Sequence, residues 1–155
     1  MKLTQVVLFA VAALLALPAA AQTASDMQIL AQKIKADKKL VVAANMQLTE
    51  EEAKGFWPVY DAYQKDLQKI NQRLIGTIKR YADAYNKGPV SDEVAKKLIN
   101  QAIGVEEAEV KLKRAYVPKL EKVLPGTKVA RYMQIENKIR AVVKYELAAQ
   151  IPLVE

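Results

Sequence analysis

Apolar residues recur along this chain at the spacing of a helix face, and no stretch sustains the alternation of a strand. One row runs Phe56, Tyr60, Tyr63, Leu67, Ile70, Leu74, Ile78, Tyr81, Tyr85, which is 29 residues in eight steps. A second runs Val94, Leu98, Ala102, Val105, Ala108, Leu112, Tyr116, Leu120, Val123, again 29 residues in eight steps. Both give about 3.6 residues per step, the period of an unstrained α-helix rather than that of a heptad coiled coil. Shorter rows lie on either side: Met27, Leu30, Ile34, Val41 and Ala44 before them, and Tyr132, Ile135, Ile139, Val142 and Leu147 after.

The punctuation between the rows predicts where helices begin and end. Ser25-Asp26-Met27-Gln28 is a capping box, so a first helix is expected from there to about Asn45. Thr49 followed by Glu50, Glu51 and Glu52 is a second box, with three carboxylates at the positive end of a helix dipole. This second helix should reach about Asn86, before Gly88-Pro89 stops it. Ser91 caps a third helix, expected to run to about Val123. Leu124-Pro125-Gly126 breaks the chain, Thr127 reads as the next cap, and a fourth helix should end near Gln150, before Pro152. The fold class is therefore all-α: four helices, the two long ones proline-kinked and paired as an antiparallel hairpin, in a bent bundle or cradle.

Two prolines sharpen that picture. Pro58 lies 31 residues before Pro89, and Pro118 lies 29 after it, so in a hairpin they sit at similar heights. Gly76 and Gly104 are matched in the same way. A proline inside a helix removes one backbone bond and kinks or breaks it. The hairpin then bends as one unit, or a short helix ends at Trp57 and a new one starts at Pro58.

Composition removes whole classes of function. The chain has 155 residues, no His and no Cys. No disulfide, thiolate nucleophile or imidazole base can form, and a site selective for nickel, copper or zinc lacks its usual ligands. Its two serines, Ser25 and Ser91, are both explained as caps, so neither catalysis nor a cofactor is expected. Glu106, Glu107 and Glu109 resemble a hard-cation cluster, but Lys111, Lys113 and Arg114 follow closely and surface ion pairing explains the group.

The N-terminus points to export. Lys2, an apolar run from Val6 to Leu17, Pro18 and then Ala19-Ala20-Ala21 have the order of a cleavable signal peptide over residues 1–21. The run is too short to span a bilayer. A single helical domain over residues 22–155 would remain, located in the periplasm. The formal charge of +7 suggests nucleic acid, but export argues against it. An anionic lipid surface remains a partner for such a charge.

Binding candidates follow from side-chain type. Phe56, Trp57, Tyr60 and Tyr63 cluster at one end of the second helix and, with Met133, could capture apolar clients; the same spacing also describes a core stripe. Lys33, Lys35, Lys38 and Lys39 form a basic face on the first helix, either solvated or a partner surface.

Leu48, Thr49 and Glu52 place Leu-Thr-x-x-Glu at a helix start, and in a secreted all-helical chain this resembles the Spy/CpxP family of periplasmic proteins. That family carries a repeated Leu-Thr-x-x-Gln motif, and Glu52 stands where the family has Gln. The second copy would fall at Leu124-Pro125-Gly126-Thr127-Lys128, where Leu124 alone matches. The resemblance implies a small cradle-shaped protein, often a homodimer, that binds unfolded or stressed envelope proteins without ATP or damps a stress-sensor protein. The alternative is a structural or adaptor module for one envelope partner.

Overall fold

The computed structural model describes residues 37–154, all helical apart from short connections. We label the helices α1 (residues 37–46, the described part of the first), α2 (Glu50–Tyr85), α3 (Asp92–Glu121) and α4 (Gly126–Gln150). No strand occurs among the described residues. The signal peptide, the Ser25 capping box, Lys33 and Lys35 lie outside them. The chain divides into two compact units, one built on Thr49–Val129, the other on the segment ending at Leu48 together with Ala130–Pro152.

The first unit is an antiparallel hairpin of α2 and α3. Its cross-contacts pair Gly55 with Val123, Asp66 with Tyr116, Arg73 with Gly104 and Arg80 with Gln101. Each pair is centred within about two residues of Pro89, as a hairpin closed there requires. The turn needs Gly88, whose φ of 125° is open to glycine but strained for other residues. Both caps form as read: Thr49 Oγ1 accepts from the Glu52 amide at 3.2 Å while Glu52 Oε2 accepts from the Thr49 amide at 2.8 Å, and Ser91 Oγ accepts from the Val94 amide. The next cap differs. α4 begins at Gly126, with the Pro125 carbonyl accepting from the amides of Lys128 and Val129, so Thr127 lies inside the first turn. Proline has no amide to satisfy and its fixed φ suits a helix start, so it takes the place expected for the hydroxyl.

Neither proline breaks its helix: Pro58 and Pro118 both lie in the interior of continuous helices. This rules out a helix ending at Trp57. Both prolines are exposed, as are Lys54 and Arg114, whose carbonyls lose their amide partners. Water can solvate those groups, which is why the interruption is tolerated.

The hairpin core takes Phe56, Tyr60, Tyr63 and Ile70 from α2 and Leu98, Val105, Leu112, Tyr116 and Leu120 from α3, with Leu124 and Val129 beyond. Burial fades toward the turn. Val94 belongs to the α3 row by period but is exposed, and Tyr81 and Tyr85 are half-buried. Two helices alone cannot enclose a stripe there.

In the second unit, Val42 and Met46 of α1 and Tyr132 of α4 are buried. The inward face of α1 is thus Lys38, Val42, Met46, a four-residue spacing, and not the row through Val41 and Ala44 that hydrophobicity alone suggests. The Lys38 ammonium turns inward to the buried Glu136 carboxylate at 2.8 Å, on the same face as Val42 and Met46. Arg131 also donates to the Gln47 side chain at 2.9 Å.

Candidate functional site

The aromatic group is positioned by the first turns of α2, which the Thr49 cap fixes. Phe56 and Trp57 meet edge-on with centroids 5.0 Å apart, and Trp57 and Tyr60 do so at 5.3 Å. Tyr63 meets Tyr116 of α3 edge-on at 5.3 Å. Such edge contacts are the favoured aromatic geometry. Phe56, Tyr60 and Tyr63 are buried, however, and hold the hairpin together rather than face solvent. Trp57 is half-buried beside them. Met133, also half-buried, belongs to the other unit. Of the basic residues, Lys38 is tied to Glu136 and both Lys38 and Lys39 are half-buried, so neither stands on a fully solvated face.

The motif residues do structural work. Thr49 and Glu52 form the cap, Leu124 is buried in the hairpin unit, and Leu48 is half-buried. The Glu52 carboxylate accepts from the Lys128 ammonium as well as from the Thr49 amide. The Lys128 bond first, then the Thr49 amide, hold the Glu52 carboxyl below its ordinary value.

A second polar cluster ties α2 to α3. Tyr116 donates its hydroxyl to Asp66 Oδ2 at 2.7 Å, and Lys69 donates to Asp66 Oδ1 at 2.8 Å. Lys119 lies 4.0 Å from the centroid of the Tyr116 ring, a cation–π contact. Lys69, then Tyr116, keep the Asp66 carboxyl below its ordinary value. Burial, then the bond to Asp66, push the Tyr116 hydroxyl up to about 12. A phenol that holds its proton this tightly is a donor, not a base. Nearer the turn, Arg80 donates to Gln101 at 2.9 Å and Arg73 to the Gly104 carbonyl at 3.4 Å. Glu106 and Glu109 are separated, one exposed and the other buried, so they do not jointly face a cation. Among the described residues no group of three His, Cys, Asp or Glu converges to hold a metal ion, and no helix is long and apolar enough to cross a membrane.

The surface that sequence reasoning missed is aliphatic. On α3, Ile99, Ile103 and Val110 are 57%, 47% and 52% exposed, and Ile75 on α2 is 54% exposed. The three α3 positions lie within about 40° of one another on the helix, roughly 120° round from the buried row. Their spacing of four and then seven was visible in the sequence as a second, sparser stripe. The fuller row masked it, because both have helical period and only burial tells core from surface. No family model, curated protein or solved structure matches this chain.

Proposed function

We propose that this chain is an exported binding protein of the periplasm, a divergent relative of the Spy/CpxP proteins, with an ATP-independent chaperone-like or envelope-stress-regulatory role. The observation that supports it is the exposed aliphatic row Ile99, Ile103, Val110 set among charged residues. Contiguous exposed aliphatic side chains on a helical protein provide contact area for another polypeptide, and flanking charges steer encounter and permit release. With Phe56, Tyr60 and Tyr63 in the core, this row replaces them as the proposed client surface. Chemistry is left with Asp, Glu, Lys and Tyr, and of the acids Glu52, Asp66 and Glu136 are engaged in a cap, ion pairs and a tyrosine bond.

The test is aggregation suppression. The protein should reduce light scattering from several unrelated unfolding proteins at near-stoichiometric amounts without nucleotide, and Ile99→Ser with Ile103→Ser should lose most of that effect. Failure against every client would sink the chaperone reading. The row is confined to one helix face, which favours the adaptor as the second reading. Its signature is recovery of one envelope protein, or of anionic vesicles, in the absence of suppression.

A further inference from the structure

The hairpin of α2 and α3 has two unlike sides. Its polar cross-contacts mark one of them: Arg73 to the Gly104 carbonyl, Arg80 to Gln101 and Tyr116 to Asp66, with Lys69 also on Asp66 and Lys119 over the Tyr116 ring. On α3, Lys97 lies within about 40° of Gln101 and Lys111 within about 20° of Gly104, so both extend that side. Lys69, Arg73, Arg80, Lys97, Lys111 and Lys119 are all exposed. The two arginines bond neutral oxygens, which leaves their charge uncancelled across the seam. The carboxylates that share this side are Asp66, which Tyr116 and Lys69 occupy, and Asp83 and Glu93 near the turn. Ile75 lies roughly 150° round α2 from Arg73 and Arg80, and Ile99, Ile103 and Val110 lie roughly 150° round α3 from Gln101 and Gly104. The aliphatic row and the cations therefore occupy opposite sides of the hairpin.

We propose that this basic side is a docking surface for the anionic headgroups of a lipid bilayer, with α2 and α3 lying flat on it and the aliphatic row facing away. The six cations stand in two rows, one per helix. From Lys97 to Lys119 the strip is about 33 Å long at 1.5 Å per residue, on axes about 8–10 Å apart. Such a strip matches a plane of phosphates better than a single localised anion, and phosphate oxygens suit guanidinium forks and ammonium groups alike. A protein partner would need apolar anchors, and the exposed isoleucines of the hairpin lie on the other side. A nucleic acid held specifically needs a helix in a groove or aromatic stacking, and none of the six residues supplies a ring. Among the described residues no helix is long and apolar enough to cross a membrane, so the contact is peripheral. It is also electrostatic: each cation near the surface adds attraction, and salt screens it beyond about 10 Å at 0.1 M. Because the row stays open, a client and the bilayer can be held at the same time.

The inference goes beyond the client surface and uses none of its residues. Co-sedimentation of the purified protein with vesicles of phosphatidylglycerol and phosphatidylcholine in equal parts tests it, with phosphatidylcholine alone as the neutral control. Wild type should bind the anionic vesicles only, and should release them as salt rises from about 0.01 M to about 1 M. Lys97→Glu with Lys111→Glu should weaken binding by about tenfold or more. Lys96→Glu with Arg114→Glu makes the same change of charge on the same helix, but within about 20° of Ile103, and should weaken binding far less. Ile99→Ser with Ile103→Ser should leave it unchanged. Equal losses in the two charge variants would reduce the effect to net charge, and a loss in the isoleucine variant would move the contact to the row; either result overturns the proposal. So does a wild type that ignores anionic vesicles, binds neutral ones as well, or binds a duplex oligonucleotide more tightly than anionic vesicles. Aggregation suppression without vesicle binding leaves the proposed function standing and this inference lost; vesicle binding without suppression does the reverse.

Discussion

The carboxylate of Glu52 and the ammonium of Lys128 are in direct contact across 76 residues of sequence. They close the segments Leu48 to Glu52 and Leu124 to Lys128, one ending in an acid and the other in a base, and the fold pairs the two. The same Glu52 oxygen closes the α2 cap by accepting from the Thr49 amide, so one carboxylate joins the start of α2 to the first turn of α4.

A pH dependence follows. The Glu52 carboxyl is held below its ordinary value of 4.5, so near that pH the unfolded chain binds more protons than the folded one. The contribution is complete above the ordinary carboxylate range and is lost as pH falls through the lowered folded value. Urea midpoints measured from neutral pH into acid should therefore fall less steeply in Lys128→Met than in wild type. Identical slopes would mean that the pair carries no linkage. Thr49→Ala, which removes the hydroxyl side of the cap, should lower stability by about 1 kcal/mol at neutral pH.

Gly55 of α2 lies against Val123, two residues past the end of α3. A methyl group placed on it would lie 2.9 Å from Cβ and Cγ1 of Val123, closer than side-chain carbons approach. Gly55→Ala would help an isolated helix, yet here it should destabilise by about 1–3 kcal/mol through overpacking. Val123→Ala should recover part of that loss in the double variant. Thermal unfolding of the three variants decides it: a single Gly55→Ala more stable than wild type would show that the helices can shift apart freely.

The bond from Tyr116 to Asp66 predicts the alkaline limb. Because the Tyr116 hydroxyl is pushed up to about 12 from its ordinary value of 10.0, the unfolded chain loses its phenolic proton first as pH rises. Stability should fall between those two values, and Tyr116→Phe should flatten that fall. At neutral pH the same substitution removes a hydrogen bond worth about 0.5–1.5 kcal/mol. Absorbance of tyrosinate during an alkaline titration should show one late-ionising group in wild type that is missing from the variant.

The two helical rows should separate cleanly by mutation. Tyr63→Ala opens the core between α2 and α3 and should cost about 3–5 kcal/mol. Ile99→Ser, on the outer face, should change stability by no more than about 0.5 kcal/mol. Chemical denaturation measures both. A large loss for Ile99→Ser would place that side chain in the fold and remove the surface on which the proposed function stands.

By itself the sequence determined the helices, because caps, breakers and period are local signals. Thr49 with Glu52, Ser91, and Gly88-Pro89 each act within about one turn, and the antiparallel pairing about Pro89 follows from two rows of equal length joined by a short turn. Tertiary structure decided which helical row is core and which is surface. Phe56, Tyr60 and Tyr63 have the spacing of a core stripe and the chemistry of a client site, and their burial places them in the core, while Ile99, Ile103 and Val110 were hidden behind a denser stripe. It also decided the rotation of α1, where Val42 and Met46 are buried and Lys38 on the same face reaches the buried Glu136. Period is a property of one helix, whereas burial and ion pairing belong to the surfaces that meet it, and distant parts of the chain supply those surfaces.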